Sequence, residues 1–176
     1  FQGTPAVKSA LRLSALLFQR PGEIRHMEWV EINWSETQWE IPALKMKMKQ
    51  PHIVPLSYQS IIVLRYMESL RGNSNFVFPS ARGGSRPLSE NGVRTALRTM
   101  GYTNDQMTAH GFRAMARTIL DEHLNFRPDF IEHQLAHAVR DPNGRAYNRT
   151  KYLPQRKEMM QKWADYLDGL KQIIQK

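Results

Sequence analysis

Apolar residues recur along most of this chain at the three- and four-residue spacing of helices that face a core. Thr4-Pro5, a capping hydroxyl followed by a proline suited to the first helical position, opens a predicted helix carrying Leu11, Leu13, Leu16, Leu17 and Phe18. Arg20-Pro21-Gly22-Glu23 interrupts it, and a short helix resumes through Ile24, Met27 and Trp29. Two β-prone runs, Thr37 to Ala43 and His52 to Leu56, flank Lys45-Met46-Lys47-Met48-Lys49 and predict a hairpin with a basic tip. A helix from about Tyr58 to Leu70 comes next, then an extended piece at Phe76-Val77-Phe78-Pro79 and a glycine- and arginine-rich loop from Ala81 to Pro87. Ser89-Glu90-Asn91-Gly92 starts a helix reaching Met100. From Thr108 to Leu124 the residues Phe112, Met115, Ala116, Ile119 and Leu120 keep helical spacing, and Pro128 to Ala136 is a further short helix. Asp141-Pro142-Asn143-Gly144 signals a turn. The last helix, roughly Gln155 to Ile174, has Met159, Trp163, Leu167, Leu170 and Ile174 on one stripe. The fold class is therefore mainly α with a small antiparallel β-sheet.

At 176 residues, with 41% hydrophobic and 23% charged side chains, the chain can bury one core and is too short for two ordinary domains. No apolar run approaches the length of a spanning helix, and the absence of cysteine excludes disulfides, zinc fingers, iron–sulfur clusters and a thiol nucleophile. Phe1-Gln2-Gly3 looks like the tail of an engineered protease site, so residues 1–3 are expected to be an expression scar and 4–176 the domain proper, cut from a longer protein. An intracellular protein is expected. A formal charge of +9 points to a polyanionic partner, with nucleic acid ahead of a membrane surface because the charge is spread along the chain.

Chemistry concentrates in a few places. His110 and Arg113 are three apart on a predicted helix and should project together, with Arg117 one turn on, while Phe112 and Met115 face the core. An imidazole beside a guanidinium suits a phosphate, one as a proton carrier and the other as a two-pronged donor. Arg20 follows an apolar helix at a break, where Glu23 could hold its guanidinium from behind. His137 closes a short helix, and Tyr147 lies ten residues later beyond the turn, with Tyr152 as its rival. A phenol can attack a phosphodiester and later leave. Lys45, Lys47 and Lys49 alternate with methionines at period two, so one face of the hairpin should be basic and the other apolar.

In this order, the pieces resemble the catalytic domain of tyrosine recombinases, the phage integrase family, in its prophage and genomic-island form. The resemblance runs from Pro5 to about Leu167. It rests on Arg20-Pro21-Gly22-Glu23, Met46-Lys47-Met48 before His52-Ile53-Val54-Pro55-Leu56-Ser57, His110-Gly111-Phe112-Arg113, Leu135-Ala136-His137 and Ala146-Tyr147-Asn148-Arg149. It implies that Arg20 and Arg113 grip the scissile phosphate, Tyr147 attacks the phosphorus to give a 3′-phosphotyrosyl link, and Lys47 protonates the leaving 5′-oxygen. His110 would assist proton transfer and His137 would hydrogen-bond the phosphate.

The same resemblance implies no cofactor and no metal, double-stranded DNA at an attachment site as partner, and a homotetramer on DNA in the full-length protein. No membrane association is implied, and the place of action would be the cytoplasm of a bacterial host. N-terminal DNA-binding domains of the family have no counterpart here. The His137–Tyr147 spacing is one residue longer than the commonest family pattern. Lys45 and Lys49 stay open as alternatives to Lys47, and Arg25 to Arg20. Docking on a neighbour and packing on its own core are both open for the stripe of Trp163, Leu167 and Leu170. Besides the recombinase, a nicking-closing enzyme of the type IB topoisomerase kind, a non-catalytic DNA-binding relic and a metal-dependent nuclease remain to be separated by experiment.

Overall fold

Thr4 caps α1 (Pro5–Leu17) by accepting the Val7 N–H on its hydroxyl at 3.4 Å, and Pro5 occupies the first turn, where no amide donor is needed. The computed structural model describes residues 1–137 and 150–174. Ala10, Leu13 and Leu17 of α1 are buried in the core. Phe18 ends the helix in the left-handed region at φ 42°, and its N–H returns to the Ser14 carbonyl at 3.1 Å. That turn swings the chain into α2 (Pro21–Arg25), whose N-cap is Arg20.

The main sheet is antiparallel, in the order β1 (Ile32–Asn33), β2 (Gln38–Ile41), β3 (His52–Pro55). Trp39 pairs with Val54 and Ile41 with His52. The predicted hairpin is present, and β1 adds a strand too short to leave a periodic signal. Its tip differs from expectation. Ala43–Lys45 forms a 3₁₀ turn, Met46 is buried, and Met48 is exposed, so the lysine–methionine alternation does not define two faces. The backbone curls at this point because Lys45 is drawn inward: its Nζ donates to the His26 carbonyl at 2.8 Å and to Glu28 at 2.7 Å, and it also pairs with Glu31.

Ser57 caps α3 (Tyr58–Ser69), accepting the Ser60 N–H at 3.3 Å. Part of the segment expected as loop pairs as β5 (Gly83–Pro87) with β4 (Pro79–Ser80), turning through Gly83 at φ 138°. Glycine-rich text conceals a strand that has almost no apolar side chain to show. Three helices follow, α4 (Gly92–Thr99), α5 (Gly111–Glu122) and α6 (Pro128–Gln134), of which α4 and α5 pack on α1 and α6 packs on α5.

The last helix, α7 (Leu153–Ile174), lies on the core. Met159 and Trp163 are fully buried, Trp163 Nε1 donates to the Ala15 carbonyl at 2.9 Å, and its ring meets Phe18 edge-on at 6.0 Å. The stripe is anchored on its own domain at Trp163, while Leu170 is exposed. Among the described residues no helix is long and apolar enough to cross a membrane.

Candidate active site

Arg20 is fixed by its own helix. As N-cap of α2 it donates its backbone N–H to Glu23 Oε2 at 3.0 Å, while its Nη1 donates to Glu23 Oε1 at 2.9 Å. The Glu23 side chain is almost fully buried, whereas that of Arg20 is 22% exposed. One carboxylate therefore caps the helix and holds the guanidinium from behind, and among the described residues the remaining guanidinium N–H groups have no partner, so they could meet an anion. Glu23 has the role that the sequence suggested.

Arg113 departs from expectation. It lies in the first turn of α5 beside His110, yet only 4% of it is exposed. Its Nη1 donates to the Phe18 carbonyl at 2.9 Å, and Nη2 donates to the Leu135 carbonyl at 2.7 Å and lies 3.3 Å from His137 Nε2. The guanidinium turns inward because carbonyls at the ends of α1 and α6 converge on it. Burial and the nearby Arg20 charge lower its pKa to about 10, against the pull of Glu23 and Glu132. It remains a cation at neutral pH.

His110 stands exposed at the N-terminus of α5. Partial desolvation of the ring, then the charges of Arg113, Arg20 and His137, hold it below the ordinary imidazole range, so near neutrality it is an uncharged proton acceptor. Arg117 is not part of this grip: its Nε donates to Glu132 at 2.9 Å and its Nη1 pairs with Asp121 at 3.5 Å.

His137 is delivered by a sharp turn after α6. Ala136 adopts φ 50°, and the His137 N–H returns to the Glu132 carbonyl at 3.1 Å. Its Nδ1 then lies 2.5 Å from Glu132 Oε2. Behind it, Gln134 locks the end of α6 to three other elements. Its main-chain carbonyl accepts from Gln19 Nε2 at 2.9 Å and from His52 Nε2 at 3.0 Å. Its side-chain Oε1 accepts from Arg156 Nε at 2.9 Å and Nη2 at 2.7 Å, and Arg156 also donates to the Ile53 carbonyl. The ends of α1 and α6, strand β3 and the first turns of α7 thus meet in one buried polar network under the cationic surface.

The structure gathers Arg20, His110, Arg113 and His137 on one patch. Lys47 is exposed on the separate loop between β2 and β3. Tyr147 lies outside the described residues. Tyr152 is turned to packing, at φ 58° with its ring 4.9 Å from that of Phe130 and 6.1 Å from that of His133.

Sequence reasoning missed Glu132, Gln19, Gln134, His52 and Arg156. Glu132 lies five residues before His137, a spacing that helical periodicity does not pair, and only the turn at Ala136 brings the two together. The others are polar residues whose partners are set by tertiary contacts. Among the described residues no cluster of three metal-ligating side chains occurs.

The model of the phage integrase family matches residues 6–152, and the chain belongs to that family. It is 40% identical over 182 residues to the integrase of Enterobacteria phage P4, covering 96% of this chain and 42% of that protein. Prophage integrase IntA of Escherichia coli (strain K12) is 41% identical over 150 residues, covering 85% of this chain and 36% of IntA. The chain spans less than half the length of these relatives. Among solved structures it resembles the integrase from mycobacterium phage Brujita, with a TM-score of 0.66 and 14% identity over 91% of this chain and 52% of that one. It also resembles the lambda integrase catalytic core, with a TM-score of 0.59 and 21% identity over 81% and 85% of the two chains. A lambda integrase dimer bound to a COC′ core site gives a TM-score of 0.61 at 18% identity, over 78% and 52%. At these identities the structural likeness concerns the fold.

Proposed function

We propose that this chain is the catalytic part of a site-specific DNA recombinase that exchanges strands through a covalent tyrosyl intermediate. The observation that carries this reading is the meeting of two guanidiniums and two imidazoles in one place, with Arg20, Arg113 and His137 each held by hydrogen bonds from behind and His110 beside them. Membership of the phage integrase family and the charge of +9 support it.

In this reading Arg20 and Arg113 bind the non-bridging oxygens of the scissile phosphate and stabilise the charge that builds on them in the transition state. The Tyr147 oxygen attacks phosphorus and gives up its phenolic proton, with His110 as the neutral acceptor. The bond from phosphorus to the 5′-oxygen breaks, and Lys47 supplies the proton that oxygen needs. Lys45 is held by Glu28 and Glu31, which favours Lys47 for this task. One phosphodiester is exchanged for another, so the 5′-hydroxyl of a second strand can reverse the step without ATP.

His137 donates to the phosphate. The chemistry proceeds without a metal, the two guanidiniums serving as the electrophile. The partner is double-stranded DNA at an attachment core. The full-length protein acts there as a tetramer, in the cytoplasm of a bacterial host.

A strand-transfer assay on duplexes carrying the element's attachment core tests this. Joined product should form in EDTA and should be absent with Tyr147→Phe. Product that requires a divalent metal, or that survives Tyr147→Phe, contradicts it.

A further inference from the structure

We propose that Glu132 is a positioning residue that holds His137 so that an anion seated on Arg113 recruits a proton to the imidazole. This rests on reading Arg113 and His137 as phosphate ligands and does not depend on which residue is the nucleophile.

The geometry defines the resting state. The two oxygens of Glu132 have different partners: Oε2 lies 2.5 Å from His137 Nδ1, and Oε1 accepts from Arg117 Nε at 2.9 Å. Burial alone would raise this carboxyl, but the bonds from His137 and Arg117 bring it below its ordinary value, so it is ionised. An ionised carboxylate only accepts, so Nδ1 carries the hydrogen. On a neutral ring Nε2 is then a lone pair, and the group facing it, Arg113 Nη2 at 3.3 Å, is a donor. In this state His137 has no hydrogen to offer an anion.

An incoming phosphodiester oxygen takes over the Arg113 Nη2 hydrogen. It would then face the Nε2 lone pair, which is repulsive. Taking one proton from water resolves the conflict. The imidazolium donates from Nε2 to the anion and from Nδ1 to Glu132, and one proton is bound for each anion bound. Arg20, Arg113 and His110 face the same space and oppose a further positive charge, whereas Glu132, Glu23 and the anion favour it. Of the two imidazoles, His137 has the carboxylate partner, so the proton goes there. Arg117 supports the arrangement by orienting Glu132.

Dimethyl phosphate, a monoanionic phosphodiester, is the probe. Side-chain ¹⁵N NMR of the free chain should show the neutral His137 ring with its hydrogen on Nδ1. At saturating probe and the same pH the ring should be doubly protonated, with a hydrogen on each nitrogen and about one proton taken up for each anion bound. In Glu132→Gln the probe should bind with an affinity that depends less on pH. A ring that stays neutral at saturating probe contradicts the proposal, as does no binding at His137, or an unchanged pH profile in Glu132→Gln. Proton uptake without any tyrosyl adduct would retain this dyad and remove the strand-transfer reading. An adduct without proton uptake would do the reverse.

Discussion

Arg113 Nη1 donates to the Phe18 carbonyl at 2.9 Å, joining α5 to the left-handed residue that ends α1 two positions before Arg20. The second guanidinium of the site is therefore bound to the turn that presents the first. Their separation is set by the fold, and on the proposed reading donors preorganised in this way would need no rearrangement when charge develops.

The two arginines should respond differently to removal. Arg20→Met should lower DNA cleavage about 100- to 1000-fold, as for loss of one transition-state donor. It should cost little stability, because the Glu23 cap to the Arg20 backbone N–H remains. Arg113→Met should lose activity to a similar degree and also cost about 2–5 kcal/mol, because the buried carbonyls of Phe18 and Leu135 lose their donor. Urea unfolding beside a cleavage assay separates the two effects. Equal stabilities would contradict the structural role of Arg113.

Lysines 45 and 47 divide in the same way. Lys47→Ala should slow cleavage of normal DNA but be rescued by a 5′-bridging phosphorothiolate, whose thiolate leaves without a proton. Lys45→Ala should instead lower stability, since Glu28 and the buried Glu31 lose their cation. Rescue confined to Lys45→Ala would exchange these roles.

Tyr152 packs, so its ring should matter and its hydroxyl should not. Tyr152→Phe keeps the contact with Phe130 and should retain cleavage, whereas Tyr152→Ala should lower it through loss of the aromatic anchor. Loss of all covalent product in Tyr152→Phe would make Tyr152 the nucleophile.

Two histidines disfavour their cations in the fold. His52 is held well below the ordinary range by burial, then by the Arg156 charge, and His110 below it by partial desolvation, then by Arg113. The unfolded chain therefore takes up these protons first as the pH falls through about 6.5. Stability is fully present above that value and declines below it. Denaturant midpoints at about pH 7.5 and 5.5 check this, and His52→Gln, which keeps an N–H donor, should flatten the acid limb. A chain equally stable at both pH values contradicts it.

Much of this was legible in the chain. Thr4-Pro5 announces a helix start that the structure places there, and Trp39, Ile53 and Val54 announce the paired strands. Glu23 behind Arg20 was legible because a three-residue spacing across a helix start is a local relationship. The inward turn of Arg113 was not, since its acceptors lie 95 and 22 residues away in sequence. The hairpin tip was misread for the same reason: Lys45 answers to Glu28 and Glu31, not to its alternating neighbours. Strand β5 carries glycine, serine and arginine in place of apolar alternation, so periodicity had nothing to register.

The most direct test of the central claim is covalent trapping. The chain should be incubated with a nicked suicide duplex spanning the attachment core, resolved on a denaturing gel, and the adduct located by mass spectrometry. A 3′-phosphotyrosyl adduct at Tyr147, lost in Tyr147→Phe and reduced in Arg20→Met, is the predicted result. An adduct at another residue, or none on a duplex that the chain demonstrably binds, would contradict the assignment of this cationic patch to strand transfer.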